Sequence, residues 1–168
     1  MEKKVLNRKT IKKIVERLKK EGKKIIFTNG CFDILHPGHI KLLKEAKKRG
    51  DCLIVGLNSD KSIKKIKGKK RPILEENARA KILSAIEYVD FIVFFDEKTP
   101  YKLIKYLRPN FLVKGADWGK KEIIGKEFVE KVYRVTLLKN FSTTSIINHI
   151  LKKFSCKNEK RKKSLSNN

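Results

Sequence analysis

Two short apolar runs, Lys24-Ile25-Ile26-Phe27-Thr28 and residues 52–57 (CLIVGL), bracket a stretch of helical spacing, and this arrangement restricts the chain more than any other feature. Each run is strand length, far short of a buried helix, and reads as a buried strand. Between them, from Pro37 to Lys48, Ile40, Leu43 and Ala46 share one side of a helix, and Gly50 closes it. A strand, a helix and a strand of this spacing make a right-sized unit for a parallel crossover.

The pattern then repeats. Asn58-Ser59-Asp60 caps a short helix, followed by a basic loop over 64–72 that contains Gly68 and Pro72. Residues 75–87 read as a helix carrying Ala78, Ile82, Leu83 and Ile86, and Phe91 to Phe95 as a third strand. Thr99-Pro100 opens a helix to Leu107, since proline suits a first helical position. Asn110 to Val113 gives a fourth strand, 133–138 a fifth, and Ser142 to Lys153 a last helix. The expected fold class is α/β: a Rossmann-like, mostly parallel, five-stranded sheet flanked by helices. In such sheets ligands sit beyond the carboxyl ends of the strands.

Flanking segments complete the organisation. Residues 9–21 place Ile11, Ile14, Val15 and Leu18 at helical spacing before Gly22, so 1–22 reads as an N-terminal helical extension to a domain over 23–153. Residues 154–168 lose periodicity and fill with Lys, Ser and Asn, which suggests a basic, disordered tail. No apolar run reaches the ~18–20 residues of a membrane span. The N-terminus has no signal-type apolar region, so a cytoplasmic protein is expected. Three scattered cysteines, Cys31, Cys52 and Cys156, fit neither a disulfide framework nor a zinc site. The net charge of +25 suggests anionic partners. Its lysines are spread along the chain rather than clustered with arginines, so a solvated surface explains them better than a nucleic-acid interface. A nucleic-acid-binding module remains a remote alternative; steep salt dependence would mark it.

Chemistry concentrates in Thr28-Asn29-Gly30-Cys31-Phe32-Asp33-Ile34-Leu35-His36-Pro37-Gly38-His39. A strand ends, a turn follows, and a helix begins, whose free N–H groups favour an anion. His36 and His39, two of only three histidines, lie three residues apart and face one side. Two imidazoles there suit hydrogen bonding to a phosphate whose charge grows in a transition state. Gly38 leaves the surface between them open. A metal site would need a third ligand, for which Asp33 is the only nearby candidate, and none is expected.

This segment resembles the HxGH signature of the nucleotidyltransferase superfamily. With RPILEENARAKILSAIEYVD, FIVFFDEKTPYKLIKYLRPNFLVKGADW and NFSTTSIINHI, the resemblance covers about residues 23–151 and is closest to the adenylyltransferase domain of bacterial ADP-heptose synthase. It implies transfer of AMP from ATP to D-glycero-β-D-manno-heptose 1-phosphate, yielding ADP-heptose and pyrophosphate for lipopolysaccharide core precursors. Many relatives fuse this domain to a sugar kinase, and the resemblance here implies a stand-alone form. Glycerol-3-phosphate cytidylyltransferase and FAD-forming adenylyltransferases share the same turns and stay open as alternatives.

Site roles follow from the same resemblance. His36, His39 and Lys67 are the expected catalytic residues. Thr28, Asn29, Gly30, Cys31, Phe32, Asp33, Gly38, Lys114, Gly115, Asp117, Ser142, Thr143 and Thr144 are expected to bind nucleotide, and Arg79 and Trp118 to bind the sugar phosphate. Mg²⁺ would accompany ATP, bridging its phosphate oxygens. Taken alone, Lys67 is one lysine in a basic loop, Arg79 a helix arginine, and Ser142 to Thr144 an N-cap. Relatives on this scaffold often form dimers or larger assemblies, so a homo-oligomer is open.

Overall fold

Five parallel strands form one sheet in the order β3-β2-β1-β4-β5. They are β1 (Ile25–Gly30), β2 (Cys52–Asn58), β3 (Phe91–Phe95), β4 (Phe111–Gly115) and β5 (Lys131–Val135). The structure is a computed structural model describing residues 4–115, 123–138 and 141–165, with the backbone alone from 156 onward. The strands all run one way, and the first three connections each pass through a helix. α2 (Pro37–Lys47) joins β1 to β2, α3 (Asp60–Lys67) and α4 (Glu76–Ser84) join β2 to β3, and α5 (Tyr101–Leu107) joins β3 to β4. α1 (Arg8–Lys20) precedes the sheet and α6 (Thr143–Leu165) follows it.

Alternation along β1 divides the core. Ile26 joins Leu42, Leu43 and Ala46 of α2 and Ala80 and Leu83 of α4 on one face. Ile25 and Phe27 join Ile11 and Val15 of α1 and Leu103, Ile104 and Leu107 of α5 on the other. Ile11 and Val15 are almost wholly buried. At about 1.5–3 kcal/mol for each such side chain, α1 is a structural layer of the sheet rather than an appendage. Gly56 answers Phe27: a Cβ there would lie 2.5 Å from the Phe27 ring.

Several boundaries differ from the sequence reading. β1 runs on through Asn29 and Gly30, which pair with Gly56 and Leu57. The expected basic loop begins late, because α3 continues to Lys67 and ends at Gly68 with φ 86°. α4 turns Arg79, Ala80, Leu83 and Ser84 inward, while Ile82 is exposed, so the expected apolar face is rotated. β5 starts at Lys131 and stops at Val135, ahead of the Leu137-Leu138 pair. Where composition suggests a disordered tail, α6 carries on to Leu165. That stretch holds strong helix formers with no glycine or proline to stop it. Among the described residues no helix is long and apolar enough to cross a membrane.

Candidate active site

The strand order reverses direction between β1 and β4, the place where open α/β sheets bind ligands beyond their carboxyl ends. A cavity of about 240 Å³ opens there. Asn29, Gly30 and Cys31 from the end of β1 line it, with Asn58 from β2, Lys67 from α3, Lys98 to Pro100 after β3, Lys114 from β4, and Ile123 and Ile124.

Lys114 is buried, and its ammonium donates to Asn29 Oδ1. Burial pushes it down to about 8. A cation so placed favours an anionic occupant. Lys67 and Lys98 add charge at the wall. Asn58, Lys98 and Thr99 are cavity residues that the sequence reading gave only capping or no roles. Asn58 is the last residue of β2, and Lys98 and Thr99 lie three and four residues beyond β3, so all three sit at carboxyl ends of strands.

Beside this cavity the β1–α2 turn presents the histidine pair. His36 is the N-cap of α2 but makes no side-chain cap bond. Its backbone carbonyl accepts from His39 N at 2.9 Å. The rings stack, with centroids 3.7 Å apart and planes inclined by 23°. Phe32 backs the pair, its ring centroid 4.9 Å from that of His39. The Nδ1 atoms of both rings are buried without a hydrogen-bond partner among the described residues. A buried polar atom without a hydrogen bond costs about 1–3 kcal/mol, and two lie in contact here.

Burial lowers the pKa of both rings, and His39 falls to about 4, with the charges of His36 and Lys67 adding to the effect. Both imidazoles are therefore neutral near pH 7, each with one N–H to donate. Lys67 is close enough to bias His39 as well as to line the cavity, so it links the two halves of the site.

Gly38 fits between this pair and the start of α6. A Cβ there would lie 3.0 Å from the His36 ring and 3.7 Å from the Phe141 carbonyl oxygen. The segment leading into α6 thus lies against the first turn of α2, and two helix N-termini meet at the histidines. Ser142 caps α6, its hydroxyl accepting from Ser145 N at 3.0 Å while its own N donates to Ser145 Oγ at 3.0 Å. Thr143 and Thr144 follow as the first helical residues.

Other expected ligand residues face inward. Thr28 is fully buried and donates to Val113 O at 2.9 Å, tying β1 to β4. Asp33 accepts from Arg71 Nε at 2.7 Å and from the amides of Ile73 and Leu74 at 2.8 and 2.9 Å, anchoring the loop before α4. Phe32 takes a left-handed φ of 45° and packs under Gly30 and His39. A bulky residue there stores about 1–3 kcal/mol of strain, as turns at functional sites often do.

Arg79 is the largest fully buried side chain. It donates to Leu74 O (3.0 Å), Cys31 O (2.6 Å), Asn58 O (2.8 Å) and Asp60 Oδ1 (2.7 Å). Its guanidinium is therefore committed to the protein, and it binds together the turns that follow β1 and β2. Gly115 ends β4, while Asp117 and Trp118 lie outside the described residues.

Among the described residues no group of three His, Cys, Asp or Glu is placed to hold a metal ion. Asp33, the carboxylate of the turn, has both oxygens engaged. The described residues do not fit a protein-held ion.

Comparison with known proteins bears on the same residues. The model of the cytidylyltransferase-like family matches residues 27–161. The Bifunctional protein HldE of Campylobacter fetus is 54% identical over 134 residues, covering 80% of this chain and 29% of that protein. The same-named protein of Wolinella succinogenes is 49% identical over 146 residues, covering 87% and 31%. The chain thus spans about three-tenths of the length of these curated relatives. A solved structure, the lipopolysaccharide core biosynthesis protein from Thermoplasma volcanium, superposes with a TM-score of 0.59 at 32% identity, covering 70% of this chain and all of that one.

Proposed function

Because the chain belongs to the cytidylyltransferase-like family, we propose that it transfers AMP from ATP to D-glycero-β-D-manno-heptose 1-phosphate, forming ADP-heptose and releasing pyrophosphate. The observation that carries this reading is the stacked His36–His39 pair, with its unpartnered Nδ1 atoms, at the meeting of two helix N-termini beside a lysine-lined cavity.

In this scheme the acceptor's phosphate enters the cavity among Lys67, Lys98 and Lys114. The nucleotide's phosphates lie across the mouths of α2 and α6, where backbone N–H groups and Ser142 to Thr144 receive them. ATP arrives as its Mg²⁺ complex, the ion carried on the phosphates. An oxygen of the sugar phosphate attacks the α phosphorus. The bond from that phosphorus to the bridging oxygen breaks, and pyrophosphate departs on the opposite side. No protein nucleophile is needed, so catalysis is positioning and charge stabilisation. His36 and His39 donate to the α-phosphate as its charge rearranges, and Lys67 supplies positive charge beside them. Arg79 acts at one remove, holding the turns that carry Cys31 and Asn58.

A pyrophosphate-release assay with ATP against CTP, over a panel of phosphorylated acceptors, tests the reading. Release with ATP and the heptose 1-phosphate is expected. Release with CTP and glycerol 3-phosphate, or with ATP and FMN, would instead assign one of the sister activities.

A further inference from the structure

The loop between β3 and α5 is held from three directions, and one of them is the N-terminal helix. Arg8, the first residue of α1, donates through Nη1 and Nη2 to the two carboxylate oxygens of Glu97 at 3.0 and 2.7 Å. This two-point clasp holds the Glu97 carboxyl far below the usual range, down to about 2. From within the fold, Ser62 Oγ donates to the Glu97 carbonyl at 2.7 Å and accepts from Asn58 Nδ2 at 2.9 Å. Lys65 Nζ donates to the Asp96 carbonyl at 3.2 Å. The next residues, Lys98 to Pro100, are cavity wall, as is Asn58.

We propose that Arg8 is a positioning residue for the acceptor: through Glu97 it holds Lys98 and Thr99 at the cavity rim, ready for the phosphorylated sugar. The proposal rests on reading the cavity as the acceptor's site. Its physical basis is order already present before binding. A loop fixed in its bound arrangement loses less freedom when ligand arrives, a saving on the order of one immobilised side chain or more. The Arg8 and Glu97 side chains are 39% and 27% exposed, so solvent screens what the pair adds to folding. α1 keeps its place without it through Ile11 and Val15 and the Asn7 cap, whose Oδ1 accepts from Thr10 N at 2.8 Å. Loss of the clasp should therefore appear in acceptor binding rather than in the fold.

The test uses the whole chain as wild type, Arg8→Ala, Arg8→Lys and Glu97→Gln. Arg8→Ala is expected to raise the acceptor KM about three- to tenfold, with the nucleotide KM and kcat within about twofold. Arg8→Lys should recover part of that loss, and Glu97→Gln should resemble Arg8→Ala. Amide hydrogen exchange of residues 96–99 should quicken in Arg8→Ala while β1 and β2 amides stay unchanged. Wild-type exchange at 96–99 in Arg8→Ala would overturn the proposal. So would faster exchange with an unchanged acceptor KM, or a joint rise in both KM values with a fall in Tm. If the wild-type chain transfers nothing to any acceptor, the transferase reading fails. The exchange comparison alone then decides whether Arg8 orders the loop.

Discussion

Two buried polar groups lie at the carboxyl ends of the central strands, the Arg79 guanidinium and the His36–His39 pair. The Arg79 guanidinium meets acceptors on Leu74, Cys31, Asn58 and Asp60, while Arg71, bound to Asp33 through Nε, keeps its Nη2 buried and unpartnered among the described residues. At His36 and His39, both Nδ1 atoms are buried and unpartnered among the described residues. A satisfied network fixes geometry and leaves nothing to offer, whereas an unsatisfied pair costs stability that a ligand returns. The Arg79 guanidinium is committed to the protein, and the proposed role of the histidine pair is to receive a ligand.

The contrast is broken most severely at Arg79. Arg79→Ala strands Asp60 and two or more carbonyls, and a loss of about 3–5 kcal/mol in unfolding free energy is expected, readable by urea denaturation. A near-native midpoint would show that the hub is not holding the turns.

At His39 the expectation reverses. His39→Phe keeps a ring against His36 and Phe32 and removes one unpartnered nitrogen, so the variant should be at least as stable as wild type near pH 7. The pH dependence sharpens this. His39 has a folded pKa of about 4 against 6.5 for the free side chain. Between those values the unfolded chain binds the proton and the folded chain does not. Stability present above pH 6.5 is therefore lost as the pH falls toward 4, by on the order of 3 kcal/mol. Denaturation curves for His39→Phe should lack that part of the slope; an unaltered slope would remove His39 from the account.

Activity gives the next effect. His39→Ala is expected to lower kcat by on the order of 10², from loss of a donor to the transition state, in a protein that remains folded. A smaller change is expected from Lys67→Ala, which should raise the KM for a phosphate-bearing substrate roughly tenfold, the scale of one charge-assisted contact. An unchanged KM would return Lys67 to the solvated surface.

The contrast also explains what was legible in the sequence. Alternation of apolar runs and helical spacing carried the five strands and their parallel sense, because burial on both faces writes itself into each run. The histidine turn was legible because its residues are contiguous. Arg79 was not, since the carbonyls it satisfies come from Cys31, Asn58 and Leu74, three separate segments that only the fold assembles. The rotated face of α4 follows from the same cause: a saturated arginine can be buried where an isoleucine, Ile82, is left outside. Asn58 and Lys98 were overlooked because each sits beside a helix-capping or turn residue that had a local explanation. Asn29 and Gly30 look like turn residues, yet their backbone continues the ladder with β2.

The proposed partner of the His36–His39 pair is a nucleotide phosphate. This proposal is tested most directly by following the imidazole resonances of His36 and His39 through a pH titration, with and without saturating ATP. Without nucleotide, the His39 ring should titrate near pH 4. With ATP bound, the phosphate's charge should raise that value and shift the nitrogen resonances of both rings. Titration curves for both rings that superimpose with and without bound ATP would contradict the account.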